Sequence, residues 1–109
     1  PFPPKINMVV GDIFSILPQM EGKFGLVFID ANKRQYCEYL DLVLPHLNSG
    51  AYIIADNTLW DGHVVDPAYD NDPQTQGVRA FNDRIATDPQ FEKIILPLRD
   101  GLTIVRWLK

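Results

Sequence analysis

The apolar positions along the chain form two kinds of pattern, and the two kinds alternate. Short runs of consecutive apolar and β-branched residues predict strands, and longer segments in which apolar residues recur every three or four positions predict helices. The predicted strands are KINMVV (5–10), GLVFI (25–29), AYIIA (51–55), FEKIILPL (91–98) and LTIVRWL (102–108).

The helical spacing is clearest in the middle of the chain. Six apolar residues recur at helical intervals there: Tyr36, Tyr39, Leu40, Val43, Leu44 and Leu47. We expect this helix to reach about Leu47, to bend at Pro45 and to end near residues 48–50. A brief helix is also predicted over 13–20, and a further helix over 75–86 that is closed by Asp88-Pro89.

Strands that alternate with helices are typical of a parallel α/β sheet with right-handed crossovers. The last two predicted strands flank Arg99-Asp100-Gly101, and an Asp-Gly turn predicts that the chain finishes in an antiparallel hairpin. The run GLVFI is the pattern of a strand covered on both faces. Because 109 residues suffice for one core, we predict a single domain over 1–109.

Composition narrows the classes of protein that fit. The chain is 46% hydrophobic and 22% charged, as in globular proteins, and its net charge of −4 disfavours nucleic acid as a partner. No apolar run approaches the roughly 20 residues that span a bilayer, and the N-terminus lacks the pattern of a signal peptide. A single cysteine, Cys37, agrees with a reducing compartment, so we expect a cytoplasmic protein.

Oxygen-bearing side chains follow two of the predicted strands. Asp30 comes directly after GLVFI, and Asp56-Asn57 comes directly after AYIIA. In α/β sheets ligands bind beyond the carboxyl ends of the strands, and carboxylate and amide oxygens suit Mg²⁺, Mn²⁺ or Ca²⁺. The competing interpretation is that both aspartates only cap the turns after their strands, and spacing alone leaves the two interpretations level.

Lys33 shifts this balance. It lies three positions after Asp30, where a bound cation would depress the pKa of its ammonium group and suit it to act as a general base. The alternative is a solvated lysine at the start of a helix. The polar, turn-rich segment 57–73 that follows the second strand has the length of a binding loop or lid.

Four ordered segments of the chain resemble one known family. FIDANKRQYCEYLDLVLPHL, GAYIIADNTLWDGHVVDP, AFNDRIATDP and LPLRDGLTIVRW are similar to the cation-dependent O-methyltransferases of the caffeoyl-CoA and catechol O-methyltransferase group, and the resemblance runs from about Met8 to Lys109. It implies the carboxyl-terminal half of a Rossmann-like, S-adenosylmethionine-dependent methyltransferase fold, in which parallel strands end in an antiparallel hairpin. It also implies divalent-cation ligands at Asp30, Asp56 and Asn57 and a base at Lys33.

The resemblance further implies where a cofactor and an acceptor would bind. S-adenosylmethionine would contact Asp12, Ile13 and Asp30, although a turn that merely ends a strand is the simpler interpretation of the first two. A small-molecule acceptor hydroxyl, of catechol or caffeoyl type, would lie near Asn32, Trp60, Asp61 and Asp100. Asn32 stands where aspartate is usual in the family. Trp60 could instead anchor its loop, and Asp100 could simply begin the Asp-Gly turn.

The family's glycine-rich cofactor loop would lie upstream of residue 1, so we expect the chain alone to bind the cofactor weakly or not at all and to be inactive. The resemblance suggests a homodimer. Two other functions stay open: methylation of a hydroxyl on a modified tRNA base, which the acidic charge disfavours, and a metal-binding or dimerising module without catalysis.

Overall fold

The computed structural model describes residues 6–109, which contain a four-stranded mixed sheet. The strands are β1 (Phe24–Ile29), β2 (Leu47–Asp56), β3 (Phe91–Leu96) and β4 (Leu102–Trp107), in the spatial order β1-β2-β4-β3. β1 and β2 are parallel, whereas β4 is antiparallel to both of its neighbours. A parallel pair that is finished by an antiparallel hairpin confirms the predicted fold class, part of a Rossmann-like sheet.

Within the described residues three α-helices accompany the sheet: α1 (Ile13–Ile16), α2 (Tyr36–Val43) and α3 (Pro73–Thr87). Asp12 and Asp72 precede α1 and α3 as their N-caps, and their carboxylates accept hydrogen bonds from the main-chain N–H groups of Phe14 and Thr75 in the first turn of each helix. A 3₁₀ turn, Lys33–Gln35, leads into α2 and is capped by Asn32. None of the helices formed by residues 6–109 is long and apolar enough to cross a membrane.

The core lies between the helices and one face of the sheet. Alternate residues of β2 point into it, and Ala51, Ile53 and Ala55 are at most 3% exposed. The helices contribute Tyr36 and Phe81, whose rings meet edge to face at 5.5 Å between centroids. Both aromatic side chains are fully buried, so this pair joins α2 to α3 beneath the sheet.

The opposite face of the sheet is exposed. Leu26 and Phe28 of β1 are 59% and 60% exposed. One apolar row crosses all four strands on this face, since Phe28 pairs with Ile54, Ile54 with Ile104, and Ile104 with Ile94. The prediction that GLVFI is covered on both faces is therefore wrong for the described residues, which cover it on one.

Two predicted elements also differ from the structure. Residues 6–10 of KINMVV form no strand, and Lys5 lies outside the described residues. A strand needs a neighbour to receive its main-chain hydrogen bonds, and within residues 6–109 the sheet contains no partner for this segment. Val10 is accordingly 89% exposed.

The end of the second helix is the other difference. α2 stops at Val43, a 3₁₀ turn containing Pro45 runs to His46, and Leu47 already belongs to β2, paired with Phe24. The turn-like residues 48–50 lie within the strand, where the register to β1 is irregular and Gly50 has a φ of +79°. Residues 48–50 therefore form a β-bulge and not a helix end. The two structures favour the same residue types because both need backbone freedom.

Candidate active site

The ends of β1 and β2 bring the predicted ligand residues to one edge of the sheet. Ile29 and Ala55 are register partners in the parallel pair, so Asp30 and Asp56 follow at adjacent positions. Both carboxylates lie close enough to the Tyr36 hydroxyl to help raise its pKa, after burial, which is the largest cause. The register therefore places Asp30 and Asp56 at the same edge of the sheet, as expected from the strand ends, and their sharing of one cation stays a prediction.

Lys33 is held tightly at this edge. Its Nζ donates to Asp30 Oδ1 at 3.2 Å and to the Ala31 carbonyl at 3.0 Å, and the residue is only 8% exposed. The ammonium also lies 4.9 Å from the centre of the Tyr36 ring and 5.8 Å from that of the Trp60 ring. The alternative of a solvated lysine at a helix start does not describe this side chain.

The surroundings of Lys33 also determine its charge. Burial alone would lower the pKa of the ammonium, but the Tyr36 hydroxyl and the Asp30 carboxylate outweigh burial, so that the pKa is raised above its ordinary value. Lys33 is therefore charged in this arrangement. The depressed pKa expected from the sequence depends on a bound cation and stays a prediction.

Tyr36 connects the two strand ends, a role that the sequence did not reveal. Its hydroxyl donates to the main-chain carbonyl of Asp56 at 2.6 Å, while its ring lies beneath Lys33. From helical spacing this tyrosine is simply a core residue, and its ring is indeed fully buried. Only the sheet register places the Asp56 carbonyl within reach of its hydroxyl.

Gly77 of α3 fixes the main chain of the same turn from behind. A Cβ at this position would lie 2.3 Å from the Lys33 carbonyl oxygen and 2.7 Å from the Arg34 Cα. Such distances are far inside van der Waals contact, so only glycine permits α3 to approach this closely. A glycine inside a predicted helix was the available signal for such a contact.

The loop after β2 forms the second side of the site. Asn57 Nδ2 donates to Asp100 Oδ2 at 3.0 Å, and the main-chain N–H of Asp61 donates to Asp100 Oδ1. Asn57, Trp60 and Asp61 all have positive φ values, between 50° and 62°. Because such values are uncommon for residues other than glycine, this loop is held in a strained conformation by its contacts.

Arg79 of α3 anchors the remainder of the loop. Its guanidinium donates to the carbonyls of His63, Val64 and Asp66 at 3.0 to 3.2 Å and to the Asp70 carboxylate at 2.8 Å. Sequence reasoning did not single out Arg79, because nothing local to α3 indicates which carbonyls lie opposite it.

Aromatic packing fills the space behind Trp60. His63 meets its ring edge to face at 6.3 Å and stacks on Tyr69 at 3.5 Å between centroids. Trp60 is half-buried, so it serves as an anchor of the loop while its ring also faces the Lys33 ammonium. Its predicted contact with an acceptor stays a prediction.

The other predicted binding residues lie on the β1 side. Ile13 and Asp30 line one mainly apolar groove together with Tyr39, whereas the Asp12 carboxylate caps α1 by accepting from the Phe14 N–H at 3.0 Å. Asn32 Oδ1 accepts from the Arg34 N–H at 3.2 Å and so caps the 3₁₀ turn. Its role toward a substrate stays a prediction, as do the cofactor contacts.

The donor set at the strand ends fits a hard divalent cation. Within residues 6–109 no group of three or more His, Cys, Asp or Glu side chains could hold a metal ion, so a cation here would depend on the Asn57 amide besides the two carboxylates. That amide gives its N–H to Asp100, which leaves Asn57 Oδ1 as the free ligand atom. Two carboxylates and one amide oxygen leave further positions for water or for acceptor oxygens.

Comparison with known proteins identifies the family of the chain. Residues 1–108 match the model of a family described as O-methyltransferase. "Probable caffeoyl-CoA O-methyltransferase 1" of Dictyostelium discoideum is 36% identical over 106 residues, which are 93% of this chain and 46% of that protein. This chain thus spans about half the length of the curated relatives that it matches.

Solved structures give the same result. The O-methyltransferase from Bacillus cereus, in complex with SAH, is 29% identical with a TM-score of 0.75, over 87% of this chain and 45% of that one. The O-methyltransferase TomG from Streptomyces achromogenes, in complex with SAM, is 29% identical with a TM-score of 0.79, over 91% of this chain and 48% of that one. Taken with the match over nearly its whole length, these likenesses show that the chain belongs to the O-methyltransferase family.

Proposed function

We propose that this chain forms the cation-binding and acceptor-binding part of an S-adenosylmethionine-dependent O-methyltransferase. The observation that carries the proposal is the convergence of Asp30, Asp56 and Lys33 at adjacent ends of two parallel strands, in a member of the O-methyltransferase family. The proposed cofactor is supported by related structures that hold SAM or SAH.

The proposed cation would be held by Asp30, Asp56 and Asn57. When bound, a divalent cation lowers the pKa of a hydroxyl that it contacts and fixes the position of that oxygen. Two vicinal hydroxyls would occupy two neighbouring positions on such an ion, and this favours a catechol or caffeoyl-like acceptor over one with a single hydroxyl. The caffeoyl-CoA O-methyltransferase names of the curated relatives support the same acceptor class.

The chain's own side chains would then orient the acceptor and move its proton. A cation bound beside it would favour the neutral amine of Lys33. In that form Lys33 Nζ, fixed by Asp30 and Ala31, is the atom that we assign to receive the proton of the acceptor hydroxyl. The Trp60 ring would cover the acceptor beside Lys33 and exclude water, and Asp61 would meet it at the exposed rim. The deprotonated oxygen would attack the methyl carbon of S-adenosylmethionine and form a new carbon–oxygen bond. The bond between that carbon and the sulfonium sulfur would break, with its electron pair left on sulfur.

The first test measures cation binding by the chain itself. Mn²⁺ titrated into the protein and followed by calorimetry should bind at one site, and Asp30→Ala or Asp56→Ala should weaken that binding by at least about tenfold. Asp83→Ala removes the same charge from an exposed position of α3 and is the matched control, with unchanged affinity expected.

The second test measures methyl transfer. The chain is joined to the complementary half of a matched full-length relative and supplied with S-adenosylmethionine and a catechol. Transfer should require Mg²⁺ or Mn²⁺ and stop in EDTA. Transfer that persists in EDTA, or in Asp30→Ala with the metal present, would defeat the proposal. Cation binding without any cofactor binding in the joined protein would instead identify a non-catalytic module.

A further inference from the structure

Asp100 lies at the tip of the hairpin between β3 and β4, yet both of its carboxylate oxygens are engaged by the loop after β2. Asp100 Oδ2 accepts from Asn57 Nδ2 at 3.0 Å, and Asp100 Oδ1 accepts from the main-chain N–H of Asp61. We infer that Asp100 is a positioning residue, which turns the amide oxygen of Asn57 toward the cation. This inference rests on the proposed function.

The chemistry of the two side chains supports this role. An asparagine amide presents an oxygen on one side and an NH₂ group on the other, and the two can exchange places by a half turn about χ2. An ionised carboxylate is only an acceptor, so it holds the NH₂ group and excludes the flipped orientation. The amide oxygen, which is the atom that a hard cation binds, is thereby directed away from Asp100.

The main chain around this contact holds Asp100 in place. The Leu59 N–H donates to the Asp100 carbonyl at 2.9 Å, and the Thr58 N–H donates to the Gly101 carbonyl at 3.3 Å. A Cβ at Gly101 would lie 2.6 Å from Leu59 Cγ, so the hairpin tip and the loop are in direct contact. The loop cannot move away from Asp100 without the loss of several such contacts at once.

The strained backbone points to the same pair. Asn57 has a φ of +62° and Arg99, directly before Asp100, has a φ of +50°. A conformation of this kind persists only where the surrounding contacts enforce it. The Asn57 to Asp100 hydrogen bond joins these two strained segments, which lie 43 positions apart in the sequence.

A cycle of four proteins tests the inference through Mn²⁺ affinity: the unchanged chain, Asp100→Ala, Asn57→Asp and the double variant. Asp100→Ala should weaken Mn²⁺ binding by about 10- to 100-fold, the usual effect of removing a group that orients a ligand. An aspartate at 57 presents an oxygen in either orientation and needs no partner to direct it. In the Asn57→Asp background, Asp100→Ala should therefore cause no weakening.

This cycle separates orientation from simple attraction between charges. If Asp100 acted only through its negative charge, its removal would weaken Mn²⁺ binding by the same factor in both backgrounds, and the inference would be overturned. Unchanged affinity in Asp100→Ala would overturn it as well. Absence of Mn²⁺ binding by the unchanged chain would instead remove the proposed function on which the inference rests.

Folding is checked for each variant by circular dichroism and by the metal-free melting temperature. Should Asp100→Ala fail to fold, Asp100→Asn takes its place, because it keeps the shape of the side chain and one acceptor. Asp100→Asn should weaken Mn²⁺ binding by a smaller factor in the unchanged background. It should cause no weakening in the Asn57→Asp background. Equal weakening in the two backgrounds again overturns the inference.

Discussion

The two sides of the candidate site are held in different ways. On one side, the turn from Asp30 to Tyr36, the Lys33 turn, is fixed by close packing: α3 touches its main chain at Gly77, and the Tyr36 ring is fully buried beneath it. On the other side, the segment 57–62, the Asn57 loop, is fixed by hydrogen bonds to the hairpin tip and has three residues with positive φ.

This difference has a physical consequence. Close packing against a main chain is disturbed by steric changes. The loss of stability is largest when a substitution adds a group at the contact. Hydrogen-bonded contacts are lost by the removal of single atoms, each at a moderate cost. The Lys33 turn should therefore be sensitive to added volume, and the Asn57 loop to the loss of polar atoms.

Gly77→Ala should have the largest effect on stability. The added methyl group would overlap the main chain of Lys33 and Arg34, so α3 or the turn must shift. We expect a loss of about 2 to 3 kcal/mol in the free energy of unfolding, measured by urea titration. Gly25→Ala is the matched control, since a Cβ there meets nothing within 4 Å and alanine costs less backbone entropy. Equal effects of the two substitutions would contradict the packing interpretation.

Tyr36→Phe tests the hydrogen bond that joins the two sides. The ring and its packing remain, but the bond from the hydroxyl to the Asp56 carbonyl is lost. A decrease of about 1 to 2 kcal/mol in unfolding free energy is expected, because the bond is partly buried and its loss leaves the Asp56 carbonyl without this donor. Tyr52→Phe removes a hydroxyl from an exposed ring and should change stability by less than about 0.5 kcal/mol. A Tyr36→Phe protein as stable as the unchanged chain would show that this bond is unimportant.

Thr103→Val should have the smallest effect of the three. Its hydroxyl donates to Thr58 Oγ1 at 2.8 Å, and both residues are buried at the base of the Asn57 loop. Valine keeps the shape, so the loss should be about 1 kcal/mol, measured in the same urea titration. Thr87→Val at the exposed end of α3 is the control, with a smaller change expected. A larger effect at Thr87 than at Thr103 would contradict this order.

Much of the fold follows from local patterns in the sequence. Alternating apolar runs and helical repeats correctly predict β1, α3 and the terminal hairpin, because each pattern reflects the face that the element buries. The strand predicted at KINMVV does not form, because a strand also requires a neighbour that local sequence does not specify. The same limit explains why both-face burial was wrong for GLVFI, whose exposed Leu26 and Phe28 depend on what covers the sheet.

By itself, the sequence determined which side chains end the strands and therefore that Asp30, Asp56 and Asn57 reach the same edge, since the carboxyl ends of parallel strands coincide. Only the tertiary structure decided what holds them: the Tyr36 hydroxyl on Asp56, the Gly77 contact with the Lys33 turn, and Asp100 on Asn57. These partners are 20 to 44 positions apart, as in Tyr36 and Asp56 or Lys33 and Gly77, so no local pattern records them. Their pairing arises from sheet register and helix packing, which depend on the whole chain.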